Sequence, residues 1–198
     1  MLFVRPLTAA REALRALQPT DEFDAAEIER WRRGFVVRIL SGIGSVFLLG
    51  LAVDNLGDGR TLIGAIDLAL AAIALGNLVR LKRSGNHRSA QLLVSALLVF
   101  LFGWLLVGGG VDGTGPLWCY VFIAMLMFVH GLREGALVVG LLIATSALLL
   151  LAPWPGDWMT RYPDAFVERF LASLVALFVM ALLFEYARER AQRQMARM

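Results

Sequence analysis

Long apolar runs alternate with short polar segments along most of this 198-residue chain. An α-helix of about 20 apolar residues is long enough to cross the ~30 Å hydrocarbon core of a bilayer. Six runs have approximately this length: Gly34–Leu56, Thr61–Leu81, Ala90–Val107, Pro116–Leu132, Gly135–Ala152 and Ala165–Tyr186. Because the polar connections are short, consecutive helices must run in opposite directions. The pattern therefore predicts an all-α fold, an integral membrane bundle of six transmembrane helices.

The segment that precedes these runs is polar. Residues 1–33 lack the apolar core and cleavage site of a signal peptide, so we expect them to remain in the mature protein. Thr8–Leu17 has the apolar spacing of a short amphipathic helix, and Asp24 with Glu27 has the pattern of a capping box that begins a second helix. We expect this leader to lie on the cytoplasmic headgroups, and a solvated leader is the alternative.

The chain is thus expected to have three parts: a leader at 1–33, a membrane domain at 34–186 and the start of a cytoplasmic helix at 187–198. No proline or glycine interrupts Phe166–Met198, so the last helix should continue beyond the bilayer without a break. Apolar and small residues along it repeat at spacings of three and four, which predicts pairing with a second copy. This seam consists of Leu177, Met180, Phe184, Ala187, Ala191, Gln194 and Met198. A basic tail held at anionic lipids is the alternative.

Positive charge is concentrated on alternate polar segments. On one side of the predicted bundle the basic residues are Arg5, Arg11, Arg15, Arg30, Arg32, Arg33, Arg80, Lys82, Arg83, Arg88, Arg133, Arg188, Arg190, Arg193 and Arg197. The opposite side has only Arg60 and Arg161. Because loops rich in Lys and Arg remain in the cytoplasm, both termini are predicted to be cytoplasmic. The basic residues flank apolar runs and form no separate basic domain, so no nucleic acid is expected as a partner.

Composition agrees with a membrane protein, since 59% of the residues are hydrophobic and only 18% are charged. The single cysteine, Cys119, excludes a disulfide within the chain. Two widely separated histidines, His87 and His130, do not have the spacing of a metal site. The nucleophile signal at Gly42–Ser45 is weak, and no phosphate-binding loop is present. We therefore predict no catalytic residues, no metal and no cofactor, and we do not expect this chain itself to be an enzyme.

A polar, glycine-rich segment, Gly108–Tyr120, interrupts the apolar sequence near its middle. Charge that faces lipid costs at least ~2.5 kcal/mol on insertion scales, so ionisable residues in the spans should face the bundle. In the predicted topology they converge on the outer half, where Arg169 would pair with Asp67 or Asp112. The candidate ligand-binding residues are Asp54, Asp67, Trp104, Asp112, Thr114, Trp118, Tyr120, Glu168 and Arg169. They indicate an outer pocket for a small molecule, or an ion-pair cluster that only holds the helices in register.

Three short motifs resemble the N-terminal multi-span input region of bacterial membrane diguanylate cyclases and histidine kinases. They are the outer turn Asp112–Trp118, Gly131 followed by Arg133–Gly135, and Glu168–Phe170. The resemblance extends over roughly residues 34–190. It implies an inner-membrane sensor that receives an extracytoplasmic or membrane cue and controls a cytoplasmic output enzyme. The chain departs from the family pattern because it lacks the output domain, so cyclic-di-GMP synthesis or histidine phosphorylation is not attributed to it.

We interpret the chain as a six-helix sensory module of the inner membrane that forms a homodimer and transmits a signal through its last helix. A small six-helix transporter or channel is the alternative. A structural assembly partner, which would use the same helices without a ligand, is a third class. Solute flux into proteoliposomes would favour the transporter, and control of a fused output domain would favour the sensor.

The unequal distribution of positive charge generates a testable topology. Single cysteines at Asp58, Asp112 and Asp157 should react with an impermeant thiol reagent from the extracytoplasmic side, because Arg and Lys are rare in these loops. The measurement is labelling of intact cells compared with labelling of inverted membrane vesicles. Labelling of these three positions only from the cytoplasmic side would contradict the predicted orientation.

Overall fold

The structure, a computed structural model, describes the backbone of residues 25–152 and 159–195. Side chains are described for residues 34–152 and 159–194. Five α-helices occur in these ranges: α1 (Ala25–Gly57), α2 (Thr61–Ser84), α3 (His87–Gly108), α4 (Leu117–Leu151) and α5 (Asp164–Met195). A 3₁₀ turn, Val111–Gly113, lies between α3 and α4. The two described ranges contain no strand, which confirms the all-α prediction. The predicted amphipathic helix at Thr8–Leu17 lies outside them.

All five helices are long and apolar enough to cross a membrane. The chain is therefore a multi-pass membrane protein, as predicted. The count differs from the predicted six because the fourth and fifth predicted spans, Pro116–Leu132 and Gly135–Ala152, together form the single helix α4, with only Pro116 and Ala152 outside it.

α2 and α3 form an antiparallel hairpin. The Asn77 side chain, in the last third of α2, donates a hydrogen bond of 3.0 Å from Nδ2 to the carbonyl oxygen of Ala90, near the start of α3. One residue further along α3, Gln91 donates from Nε2 to the carbonyl oxygen of Val129 at 3.1 Å. The middle of α4 therefore lies at the same end of the bundle as the connection between α2 and α3.

Helix α4 is not straight, because Gly131 interrupts it with φ of 76° and ψ of −169°. A Cβ atom at Gly135 would lie only 3.2 Å from the Cα of Met127. In a straight helix, residues eight positions apart are separated by ~12 Å along the axis, so the chain bends sharply at Gly131. We call the end of the bundle that carries this break the Gly131 end. The opposite end, which carries the loop at residues 109–116 after α3, is called the Gly109 end.

The first half of α4 runs parallel to α5. The ring of Tyr120 meets that of Phe170 with centroids 5.6 Å apart, and the ring of Phe128 meets that of Phe184 at 6.0 Å. The residue numbers in the two contacts increase together along α4 and α5, so the two helices run in the same direction. Because α4 begins at the Gly109 end, α5 also begins there.

The buried core is built from α1, α3, α4, α5 and the end of α2. Its most deeply buried apolar side chains include Val37, Phe102, Leu106, Ile123, Leu126, Met127, Val139, Phe170 and Leu174. Many large apolar side chains instead face outward: Val46 and Val53 are each 72% exposed and Leu62 is 70% exposed. In water such a surface would be an association liability, whereas in a bilayer it is the surface that contacts lipid tails.

The last helix continues unbroken through its 32 residues. At ~1.5 Å per residue it is about 48 Å long, which exceeds the ~30 Å of the hydrocarbon core. The prediction that the helix continues beyond Tyr186 without interruption is therefore confirmed as far as Met195.

The backbone conformation at Gly131 generates a prediction about stability. Its φ and ψ lie in a region that is accessible almost only to glycine, so Gly131→Ala should lower the free energy of unfolding by about 1–3 kcal/mol. Gly140→Ala is the matched control, because Gly140 lies within α4 and has open space where its Cβ would be. Denaturant unfolding in detergent micelles measures both variants. Equal stability of Gly131→Ala and the unmodified chain would show that the break is not required.

Candidate functional site

The carboxyl end of α3 is closed by the segment that precedes α5. A helix leaves its last carbonyl oxygens without partners inside the helix, and those that are buried need hydrogen-bond donors from elsewhere in the chain. Tyr162 donates from its hydroxyl to the carbonyl oxygen of Leu106 at 2.8 Å. The main-chain N–H of Thr160 donates to the carbonyl oxygen of Val107 at 2.9 Å. These two bonds hold the start of α5 against the end of α3.

The loop at residues 109–116 folds back onto the same helix end. The Gly109 N–H donates to the carbonyl oxygen of Leu105 at 3.1 Å, and the Gly115 N–H donates to the carbonyl oxygen of Gly109 at 2.8 Å. A Cβ at Gly115 would lie 2.8 Å from main-chain atoms of Gly109, so only glycine permits this close approach. Asp112, at φ of 53°, is exposed at the tip of the loop. The loop is thus a compact cap on α3.

Beside this cap, a groove of about 260 Å³ lies between α4 and α5. It is lined by Tyr120, Ala165, Phe166, Arg169, Phe170 and Ser173. The hydroxyl oxygens of Tyr120 and Ser173 are 2.6 Å apart. Ser173 directs its single hydrogen to the carbonyl oxygen of Arg169 or Phe170, at 2.6 and 3.0 Å. The Tyr120 hydroxyl is therefore the donor in its bond to Ser173, and α4 and α5 are joined inside the groove.

A row of aromatic rings connects the groove to the cap. The rings of Tyr162 and Phe166 stack with centroids 5.2 Å apart, and those of Phe166 and Phe170 stack at 5.7 Å. The ring of Tyr120 then meets Phe170 edge to face. Such pairs contribute about 0.5–1.5 kcal/mol each beyond the burial of their area. The aromatic row therefore couples the position of the cap to the position of the groove.

The groove combines aromatic walls with one exposed guanidinium, that of Arg169. This combination suits a small ligand that has an apolar body and an anionic or hydrogen-bond-accepting group. The groove residues include a hydroxyl pair, Tyr120 and Ser173, but no base beside it that would activate a nucleophile.

The predicted ion pair between Arg169 and Asp67 or Asp112 does not form. Asp67 is buried between α1 and α2, where its Oδ2 accepts a 2.8 Å hydrogen bond from Nδ2 of Asn55. Asp54 lies at the end of α1, and Arg60 pairs with Asp54 at 3.8 Å and with Asp58. The nearest partners of these carboxylates come from their own hairpin, because a short connection brings adjacent helices together.

The other predicted site residues lie apart from the groove. Trp104 is 39% exposed on α3 and stacks with Phe100 at 6.2 Å. Trp118 packs against Phe47 of α1 with ring centroids 4.8 Å apart. The remaining three, which are Asp112 and Thr114 in the loop and Glu168 on α5, are exposed.

The structure thus brings together only Tyr120 and Arg169 of the nine candidates, and ligand binding by any of the nine stays a prediction. Sequence reasoning missed four residues of the groove: Ala165, Phe166, Phe170 and Ser173. Phe166, Phe170 and Ser173 follow one another at spacings of four and three along α5, which places these three on one helix face and could have indicated them from the sequence.

A second polar cluster lies at the Gly131 end. His130, which is 9% exposed, has its Nε2 2.6 Å from the Oγ of Ser95. Its Nδ1 lies 3.4 Å from both Oε2 of Glu134 and Nε2 of Gln91. The contacts therefore connect a serine to a histidine and the histidine to a glutamate, as in the catalytic triad of many hydrolytic enzymes.

The hydrogen bonds of this cluster favour a structural role. Ser95 donates its hydroxyl hydrogen to the carbonyl oxygen of Gln91 at 2.9 Å, so Nε2 of His130 is the donor toward Ser95. Ser95 lies in the interior of α3, where main-chain N–H groups are used by the helix and cannot stabilise an oxyanion. The cluster connects α3 to α4 beside the break at Gly131.

The apolar helices define the class of the protein, a multi-pass helical membrane protein. No protein-family profile, curated protein or solved structure matches the chain. The geometry of the Gly109 end and of α5 therefore has to carry the functional argument.

The hydroxyl of Tyr162 generates a prediction. Burial raises the pKa of Tyr162 to about 12, and its electrostatic interaction with Cys119 adds to the increase. The bond to Leu106 therefore contributes stability at every pH below about 10, the ordinary tyrosine value, and is lost as the pH rises through about 12.

Tyr162→Phe should lower the unfolding temperature in detergent at neutral pH by about 3–10 °C, because the Leu106 carbonyl loses its donor. The control is Tyr186→Phe, since Tyr186 is 55% exposed on α5. Thermal unfolding followed by circular dichroism measures both variants. If the two variants unfold at the same temperature, the bond from Tyr162 does not secure the end of α3.

Proposed function

We propose that this chain is a membrane-embedded sensory module in which α5 carries a signal from the Gly109 end to the opposite side of the membrane. The observation that carries the proposal is the placement of α5. Its start is held to α3 through Tyr162 and Thr160, it lines the groove with Arg169, and it continues unbroken to Met195. A ligand that changes the packing of the groove acts on a rigid rod that leaves the bilayer.

The module crosses the membrane six times in this proposal, with α4 crossing twice. Two observations support the count. The chain bends at Gly131, and Thr160, nine residues after Leu151, the last residue of α4, is bonded to Val107 at the Gly109 end. An even number of crossings places both termini on one side, and the distribution of Arg and Lys favours the cytoplasm. The membrane is then the inner membrane of a bacterium.

The cue is a small molecule from outside the cell or from the membrane, and it binds in the groove beside Arg169. A homodimer would form through the exposed seam of α5, where Met180 is 68% exposed and Phe184 is 56% exposed. Two such helices would pair beyond the bilayer through Ala187 and Ala191, which are also exposed. The output is a cytoplasmic enzyme of the diguanylate cyclase or histidine kinase type, as the resemblance of the three sequence motifs implies.

A second candidate function rests on the pair formed by Asp67 and Asn55. An ionisable side chain buried inside a membrane bundle commonly marks an ion or substrate path. The alternative to the sensor is therefore a small transporter or channel. Ion or solute flux into proteoliposomes that depends on Asp67 would support it.

A fusion tests the sensory proposal. A diguanylate cyclase domain is attached after Met198, and alanines are inserted after Ala191. One inserted residue rotates the following helix by about 100°, whereas seven nearly restore its phase. Because coupling between sites is typically about 5- to 150-fold, the single insertion should change cyclic-di-GMP production at least about 5-fold. The seven-residue insertion is the matched control and should preserve the original rate.

Two results would contradict the proposal. The first is the same cyclase rate for the one-residue and seven-residue insertions. The second is Asp67-dependent flux together with a cyclase rate that no insertion changes, which would favour the transporter.

A further inference from the structure

The lipid-facing side of α2 carries a groove of about 510 Å³ at the Gly131 end. It is lined by Gly76, Val79, Arg80, Arg83 and Ser84, which share one face of the helix at spacings of three, four and one. No atom lies within 4 Å of the position where a Cβ of Gly76 would be, so the missing side chain opens the floor of the groove. The groove is distinct from the aromatic groove at the Gly109 end.

Polarity changes along this groove in one direction. Its apolar part is Gly76 and Val79, and Val79 is 49% exposed. Its basic part consists of Arg80 and Arg83. The preceding 19 residues of α2, Thr61–Val79, contain one ionisable side chain, the buried Asp67. A helix of that length spans ~28 Å, so both guanidiniums lie at the level of the lipid headgroups.

The two guanidiniums are available for a ligand. Ion pairs within the described part of the chain use other cations, namely Arg60, His130, Arg188 and Arg193. The carbonyl oxygen of Arg80 is already bonded to the hydroxyl of Ser84 at 2.8 Å, and that of Leu81 to the N–H of Gly85 at 3.0 Å. These bonds reduce the repulsion that the carboxyl end of a helix exerts on an anion.

We propose that this groove binds one anionic phospholipid, with the phosphate between Arg80 and Arg83 and an acyl chain over Gly76 and Val79. The planar guanidinium suits bidentate bonding to phosphate oxygens. The order of apolar and basic residues matches the order of tail and headgroup in a phospholipid. Lys82 adds a third positive charge next to the groove, which favours an anionic headgroup over a zwitterionic one. The site is independent of the proposed sensory function.

The test measures binding of a phosphatidylglycerol with a fluorescent acyl chain to the full chain in detergent micelles, by fluorescence anisotropy. The double variant Arg80→Gln/Arg83→Gln should weaken binding by about 30-fold, because each cation near a lipid surface contributes about a factor of five. Lys82→Gln is the matched control, since Lys82 lies between the two arginines in sequence but does not line the groove. Because Lys82 remains a cation near the lipid surface, its loss should change the affinity by at most about 5-fold, well below the effect of the double variant.

Gly76→Leu distinguishes binding in the groove from attraction by the positive charges alone. This substitution fills the apolar floor, retains both guanidiniums and replaces glycine with a better helix former, so the fold should persist. It should weaken phosphatidylglycerol binding about 10-fold or more. Unchanged binding in Gly76→Leu, or an equal loss in Lys82→Gln and the double variant, would show diffuse attraction and overturn the proposal. Displacement of the lipid by millimolar inorganic phosphate would assign the guanidiniums to a free anion and would also overturn it.

Discussion

The need of buried main-chain carbonyl groups for hydrogen-bond donors is the constraint on which the Gly109 end depends. The last carbonyl oxygens of α3 need donors, and the chain provides them from the loop at residues 109–116 and from the segment before α5. Satisfying Leu106 and Val107 from Tyr162 and Thr160 fixes where α5 begins. The aromatic row from Tyr162 to Tyr120 then follows, because it lies on the face of α5 that this placement turns toward α4.

Two buried carboxyl groups of this bundle have a polar partner on the same helix or the adjacent one. Asp67 bonds to Asn55 on the adjacent helix. Glu185, which is only 1% exposed, has its Oε2 2.6 Å from Nη2 of Arg188 one turn later on α5. Each contact reduces the cost of placing a carboxyl group away from water. The bundle consequently has several small polar clusters and no single large one among the side chains described.

The two ends of the bundle therefore differ chemically. At the Gly109 end, aromatic rings and hydroxyl groups surround a single guanidinium between α4 and α5. At the Gly131 end, two exposed guanidiniums of α2 directly follow its long apolar stretch. The first arrangement suits recognition of a small molecule, and the second suits contact with the membrane itself. α5 connects the first of these to the residues beyond the bilayer.

The sequence alone determined the helical membrane architecture, because runs of apolar residues are a local property and lipid permits few other folds. It also predicted the unbroken last helix and two members of the groove, Tyr120 and Arg169. The sequence did not predict the partner of Asp67 correctly. Asp67 bonds to Asn55 instead of Arg169, because such contacts depend on which helix faces meet. Only the tertiary structure decided the capping of α3 by Tyr162. This bond joins groups that are 56 residues apart, and the apolar pattern of a membrane helix contains little information about such pairing.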